Sequence, residues 1–157
     1  MLFSCCKKKE SPKRSPEKEN DNTYLDGITY DNTKVFIPNI QYCKVIKVYD
    51  GDTITVASRL PNDLNIYRFS VRLVGIDTPE MRTNNERDRV NAVRARDALS
   101  RMILEKVVEL RNIRIEKYGR LLAEVYLESL NMSEWMLYNK YAVEYFGGKK
   151  NTNVGGI

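Results

Sequence analysis

Six charged residues sit where a chain changes direction: Asp50 and Asp52 in YDGDT, Arg72, Asp77 and Glu80 in VRLVGIDTPE, and Arg120 in EKYGR. Clustered carboxylates make a hard oxygen site suited to calcium and, less strictly, to magnesium. Two arginines beside such a site suit a phosphodiester, whose equatorial oxygens gain charge during attack. Histidine is absent from the whole chain. That excludes imidazole general bases and His-ligated zinc and leaves chemistry to carboxylates, arginine, hydroxyls or a hard metal ion. Taken singly, each fragment has an ordinary structural explanation. Asp-Gly is a turn, Asp-Thr-Pro-Glu a strand exit, Arg72 a solvent-facing strand residue and Arg120 a turn residue.

Local structure must bring these residues together. CKVIKVYDGDTITVA is two β-branched runs around Asp50-Gly51-Asp52, a strong hairpin signal. In IYRFSVRLVGI, Tyr67, Phe69, Val71 and Leu73 alternate with Arg68, Ser70, Arg72 and Val74, so the first set predicts a core face and Arg72 the opposite one. Arg72 and Asp77 are five apart, which strict alternation places on opposite faces. A bend or bulge at Gly75 is therefore predicted to bring both to one rim, with Pro79 fixing the exit toward Glu80. Residues 86 to 106 carry Val90, Val93, Ala98 and Met102 at helical spacing with arginines between them. VVELRNIRI and RLLAEVYL read as two further strands around the EKYGR turn. Asn131, with Glu134 three residues on, reads as the capping box of a short helix. YAVEYF reads as a last extended piece.

The count is five strands, with a long helix after the third and a short one after the fifth. The expected fold is mainly β with helices (α+β): a five-stranded OB-fold barrel, which closes its edges and is a frequent nucleic-acid and oligosaccharide platform. With 157 residues, 42% of them hydrophobic, the chain supports one such core. The expected organisation is a basic, disordered tail at 1–22, a surface lead-in at 23–40 bearing Tyr24, Tyr30 and VFIP, the barrel domain at 41–147, and a frayed tail at 148–157.

The net charge is +5, but residues 1 to 20 carry six Lys/Arg against three Glu, so bulk charge alone does not imply a nucleic-acid partner. Cys5, Cys6 and Cys43 have neither metal-ligand nor disulfide-framework spacing, which fits a reducing compartment. The start shows neither a secretory signal nor a membrane span, so an intracellular, cytoplasmic location is expected. MLFSCCKKK also offers palmitoylation of Cys5 and Cys6 beside a polybasic run, which would tether the protein to a membrane surface; two free thiols on a solvated start are the alternative.

DGDT, RLVGIDTPE and KYGR, in this order, resemble the staphylococcal nuclease (thermonuclease) family, and the likeness runs from about residue 42 to residue 146. The resemblance implies a calcium-dependent phosphodiesterase acting on DNA and RNA, single strands preferred, leaving 3'-phosphates, and working as a monomer. It further implies that Asp52 and Asp77 ligate Ca2+ through carboxylates, Thr78 through its backbone carbonyl and Asp50 through water. Glu80 matches the general base, or the residue that orients the attacking water. Arg72 and Arg120 match the phosphate-binding pair, and Tyr118 and Tyr145 match positions lining the nucleotide pocket. The chain departs from the family pattern in three places. Val143 stands where a second pocket tyrosine is expected, a C-terminal helix is missing, and a charged tail replaces the secretion signal. Two other readings stay open: a non-catalytic barrel that binds nucleic acid or peptide, and a membrane-tethered scaffold.

Overall fold

The computed structural model describes residues 22–147. It divides into two units, Met1–Lys34 and Val35–Ile157, so the division falls inside the expected lead-in segment. In the described part of the first unit, a single helical turn at Thr23–Leu25 is followed by a turn in which Asn32 accepts from the Thr29 N–H and donates to the Gly27 carbonyl, both at 2.8 Å. Tyr24 and Tyr30 are exposed.

The second unit contains β1 (Tyr42–Val48), β2 (Thr53–Arg59), β3 (Ile66–Leu73), a two-residue β4 (Ile76–Asp77), α1 (Glu86–Ile103), β5 (Val107–Ile115), β6 (Leu121–Leu127), a two-residue β7 (Leu130–Asn131), α2 (Met132–Tyr138) and a two-residue β8 (Val143–Glu144). The strands pair in the order β3-β2-β1-β5-β6-β7, and β6 also pairs with β3 in parallel. That last pairing closes the five long strands into the expected OB-fold barrel, with the long helix after the third and the short helix after the fifth.

Alternation fills the barrel. Cys43 and Val45 of β1, Ile54 and Val56 of β2, Val71 and Leu73 of β3, Val108 and Leu110 of β5, and Leu121, Ala123 and Val125 of β6 all point inward and are buried. Tyr67, expected on the core face of β3, is instead on the surface, and Phe69 is only partly buried. The reason lies in the pairing: β6 joins β3 only at Val71, Arg72 and Leu73, so the first half of β3 has β2 on one edge and no strand on the other. The helix differs from expectation in the same way. Its buried stripe is Ala92, Ala95, Ala98, Leu99 and Ile103, whereas Val90 stays 49% exposed. Three of these five are alanines, and Ala95 packs directly over the turn at Gly51. Among the described residues no helix is long and apolar enough to cross a membrane.

Two local features hold the rim that carries the site. Gly75 adopts φ +82, the left-handed region that favours glycine, and turns the chain between β3 and β4 as expected. Asn131 caps α2 by accepting from the Ser133 and Glu134 N–H groups at 2.8 and 3.4 Å. Ser133 then donates to the Val74 carbonyl at 2.8 Å, fastening the short helix to that same turn.

Candidate active site

The hairpin between β1 and β2 sets the first side of the site. The Asp50 side chain accepts from the Asp52 N–H at 3.3 Å, and the Asp52 carbonyl accepts from the Leu73 N–H at 2.8 Å. The turn is thereby tied to β3, whose register places Thr53 opposite Arg72. Gly51 is buried, and a Cβ there would lie 2.8 Å from the Ala95 Cβ and 2.8 Å from the Thr78 Cγ2. The turn can sit this low between α1 and the β4 exit only without a side chain. Gly51→Ala is accordingly expected to destabilise the fold by about 1–3 kcal/mol, since the Ala95 Cβ at 2.8 Å and the Thr78 Cβ at 3.1 Å cannot be moved by a side-chain rotation. A lowered denaturant midpoint with an unchanged m-value would show it; an unchanged midpoint would mean that the turn has slack.

The second side comes from β3 and β4. The bend at Gly75 returns Asp77 to Arg72, whose Nη2 donates to Asp77 Oδ1 at 2.9 Å and to the Ile76 carbonyl at 3.2 Å. The Arg72 Nη1 lies 2.6 Å from Asp52 Oδ2. The guanidinium expected to face away from the core therefore does so, but in a largely buried niche rather than in solvent, its side chain 13% exposed. The short β4 is held in place by β8, in which Val143 faces Asp77 and the Tyr145 N–H donates to the Gly75 carbonyl at 2.9 Å. The Tyr145 ring lies 5.9 Å from the Arg72 guanidinium.

The third side is the turn between β5 and β6. Tyr118 and Gly119 both have positive φ, +68 and +76, and the Glu116 N–H donates to the Arg120 carbonyl at 2.8 Å. This closes the turn so that Glu116 and Arg120 stand side by side, with Arg120 Nη2 2.8 Å from Glu116 Oε2.

These three sides enclose a cavity of about 370 Å³ lined by Asp50, Asp52, Arg72, Asp77, Thr78, Glu80, Arg120 and Tyr145 together with Tyr49, Pro79, Met81, Arg82 and Glu116. Every residue expected from the sequence to act on phosphate or metal is thus gathered at one place, with Glu80 on its exposed rim. Tyr118 is the exception: it stands at the tip of its turn, 96% exposed, and does not line the cavity. Glu116 was missed by the sequence reading. Its signal was the four-residue spacing to Arg120 across a Tyr-Gly turn, which places both at the base of that turn. Cys5 and Cys6 lie outside the described residues.

Among the described residues no group of three acidic, cysteine or histidine side chains stands ready to hold a metal. The donor chemistry nevertheless fits a hard cation. Asp52 is 3% exposed. Burial, reinforced by the charge of Asp50, pushes its carboxyl up to about 7, while Arg72 works in the opposite direction. Asp52 and Asp77 share the Arg72 guanidinium and Asp50 adjoins Asp52, so carboxyl groups outnumber the cation among them. Oxygen ligands in this excess suit a divalent ion.

Residues 70–154 match the family of staphylococcal nuclease homologues. An uncharacterised protein of Methanocaldococcus jannaschii is 29% identical over 153 residues, covering 80% of this chain and 71% of the relative. An uncharacterised endonuclease of Haemophilus influenzae is 27% identical over 124 residues, covering 73% and 64% respectively. A thermonuclease of Staphylococcus hyicus is 37% identical over 91 residues, covering 57% and 50%. The chain thus spans less than two thirds of the second and third relatives.

Proposed function

Since the chain belongs to the staphylococcal nuclease family, we propose that it is a calcium-dependent endonuclease hydrolysing phosphodiester bonds of DNA and RNA, with single strands preferred and 3'-phosphate products. The observation that carries this reading is the convergence of Arg72 and Arg120 on one cavity with Asp52, Asp77, Thr78 and Glu80. A module retired from catalysis has no need to keep this set together.

Asp52 and Asp77 through carboxylates, Thr78 through its carbonyl and Asp50 through water would hold Ca2+, which when bound would polarise the scissile phosphate and template the water. Arg72 and Arg120 donate to the non-bridging oxygens and stabilise the charge that grows on them as water attacks in line. Arg72 is fixed for this by its ion pairs to Asp52 and Asp77, so its guanidinium plane needs little reorganisation at the moment of reaction. Glu80, on the rim, orients the water and takes its proton. The Tyr145 ring beside Arg72 supports the nucleotide. With Val143 in place of a second aromatic, stacking at that subsite is weaker. The protein acts as a monomer inside the cell, and acylation of Cys5 and Cys6 would bring it to a membrane surface.

The reading is tested by the ends of the products. Fragments from single-stranded DNA and from RNA in millimolar calcium are expected to carry 3'-phosphates that block polymerase extension until phosphatase treatment. Products with 3'-hydroxyls would contradict the assigned direction of attack. Bound but uncleaved strands would favour the non-catalytic barrel.

A further inference from the structure

Glu116 has no part in the chemistry just described, yet it faces both phosphate-binding arginines. Its Oε2 lies 2.8 Å from Arg120 Nη2 and its Oε1 3.9 Å from Arg72 Nε. The other nitrogens of Arg72 are already engaged, Nη1 by Asp52 and Nη2 by Asp77 and the Ile76 carbonyl. Arg72 therefore offers substrate its Nε edge, and that edge looks at Glu116. The contacts are incomplete. Glu116 Oε2 and Arg120 Nε are buried and have no hydrogen-bond partner among the described residues; the 2.8 Å approach to Oε2 is made by Arg120 Nη2 as an ion pair and leaves Nε unmet. A buried guanidinium N–H without an acceptor is unfavourable, and it marks a donor kept for something else.

Resting on the nuclease reading, we propose that Glu116 is a positioning residue that stands in for the substrate phosphate: its two oxygens hold Arg72 and Arg120 in the resting enzyme and must yield when phosphate enters. A carboxylate with one oxygen toward each guanidinium presents the pattern that two non-bridging phosphate oxygens present. It is a poorer ligand than phosphate, with one charge instead of a tetrahedral set of oxygens, as the 3.9 Å contact and the unmet Arg120 Nε attest. The backbone bond between the Glu116 N–H and the Arg120 carbonyl keeps the two residues adjacent, so release is a side-chain rotation into the cavity mouth, where Glu116 is 27% exposed. Binding is weakened by the fraction of time the carboxylate holds the site. In exchange, Arg120 stays aimed beside the Nε edge of Arg72 instead of collapsing onto Asp50.

The test compares wild-type protein with Glu116→Gln, which keeps the shape and removes the charge. Binding of a 3'-phosphorylated dinucleotide is measured calorimetrically in EDTA, alongside kcat and KM on single-stranded DNA in calcium. The variant is expected to bind the dinucleotide about tenfold more tightly, with a lower KM and a lower kcat, because phosphate no longer competes and the arginines are less well aimed. In an Arg120→Ala background the gain from Glu116→Gln should disappear. Equal or weaker binding by Glu116→Gln, in a protein whose Arg120→Ala variant is inactive, would overturn the stand-in role and leave the nuclease reading intact. Full activity of Arg120→Ala would instead overturn the assignment of the arginines on which both rest.

Discussion

Arg120→Ala should lower kcat/KM on single-stranded DNA by about 10²–10³-fold, the effect of removing one donor aimed at charge that develops in the transition state. Its melting temperature should barely move. The side chain is 34% exposed, and its ion-pair partner Glu116 is itself 27% exposed, so solvent takes over most of what the pair provides. Arg72→Ala should lose activity on the same scale or beyond it and, unlike Arg120→Ala, should also be markedly less stable. Its removal leaves the Asp52 carboxylate, 4% exposed, without the cation 2.6 Å away, and breaking one partner of a buried pair costs about 3–5 kcal/mol. Part of that loss is recoverable by protonation, so the deficit of Arg72→Ala should shrink as pH falls below 7. Kinetics and thermal melts of the two variants at pH 8 and pH 5.5 check this directly. Equal stability of both variants at pH 8 would mean that Arg72 is not what tolerates the buried carboxylate.

The second large effect belongs to Asp52. Its carboxyl titrates near 7 in the folded, metal-free protein, against an ordinary carboxylate value of 3.8. Between these two values the folded state keeps a proton that the unfolded state has lost. The group's contribution to stability is therefore fully present below about pH 4 and falls as pH rises toward 7. Asp52→Asn should remove that slope, so that the metal-free variant gains on the wild type as pH rises from 4 to 8. It should also lose the rise in melting temperature that millimolar calcium gives the wild type at pH 8, because an amide is a poor substitute for a carboxylate ligand. At pH 5 that calcium effect should be small even in the wild type, since the ion must displace a proton. Melts with calcium or with EDTA across pH 4 to 8 measure both effects. A calcium-dependent rise that survives in Asp52→Asn would place the ion elsewhere.

The sequence carried the barrel because its information is local: β-branched runs, one Asp-Gly turn, one capping residue and one glycine. The bend at Gly75 could be inferred from a conflict of period, Arg72 and Asp77 falling on opposite faces unless the chain turned between them, and the 2.9 Å contact resolves it in that way. The burial of Tyr67 and Val90 was misread because alternation and helical spacing report a preferred face without saying how far a neighbour extends along it. β6 reaches only the last three residues of β3, and α1 turns its alanines inward in place of Val90. Glu116 escaped because a lone glutamate before a turn is a common solvated residue. Only the closed Glu116-to-Arg120 turn reveals that it meets two arginines, one from β3 and one from its own turn. Gly51 shows the same limit. As part of Asp-Gly it reads as a hairpin residue, whereas its main constraint is the approach of Ala95 and Thr78, both distant in sequence.

The central claim, a cation-dependent phosphodiester hydrolase built on Arg72, Arg120 and the Asp52–Asp77 carboxylates, is tested most directly by incubating single-stranded DNA with the purified protein. Parallel samples contain millimolar calcium, magnesium alone or EDTA, beside an Arg120→Ala control in calcium. Cleavage in calcium that EDTA abolishes and that the control loses by two or more orders of magnitude is the predicted result. Intact DNA in every sample, with binding retained by the wild-type protein, would contradict it.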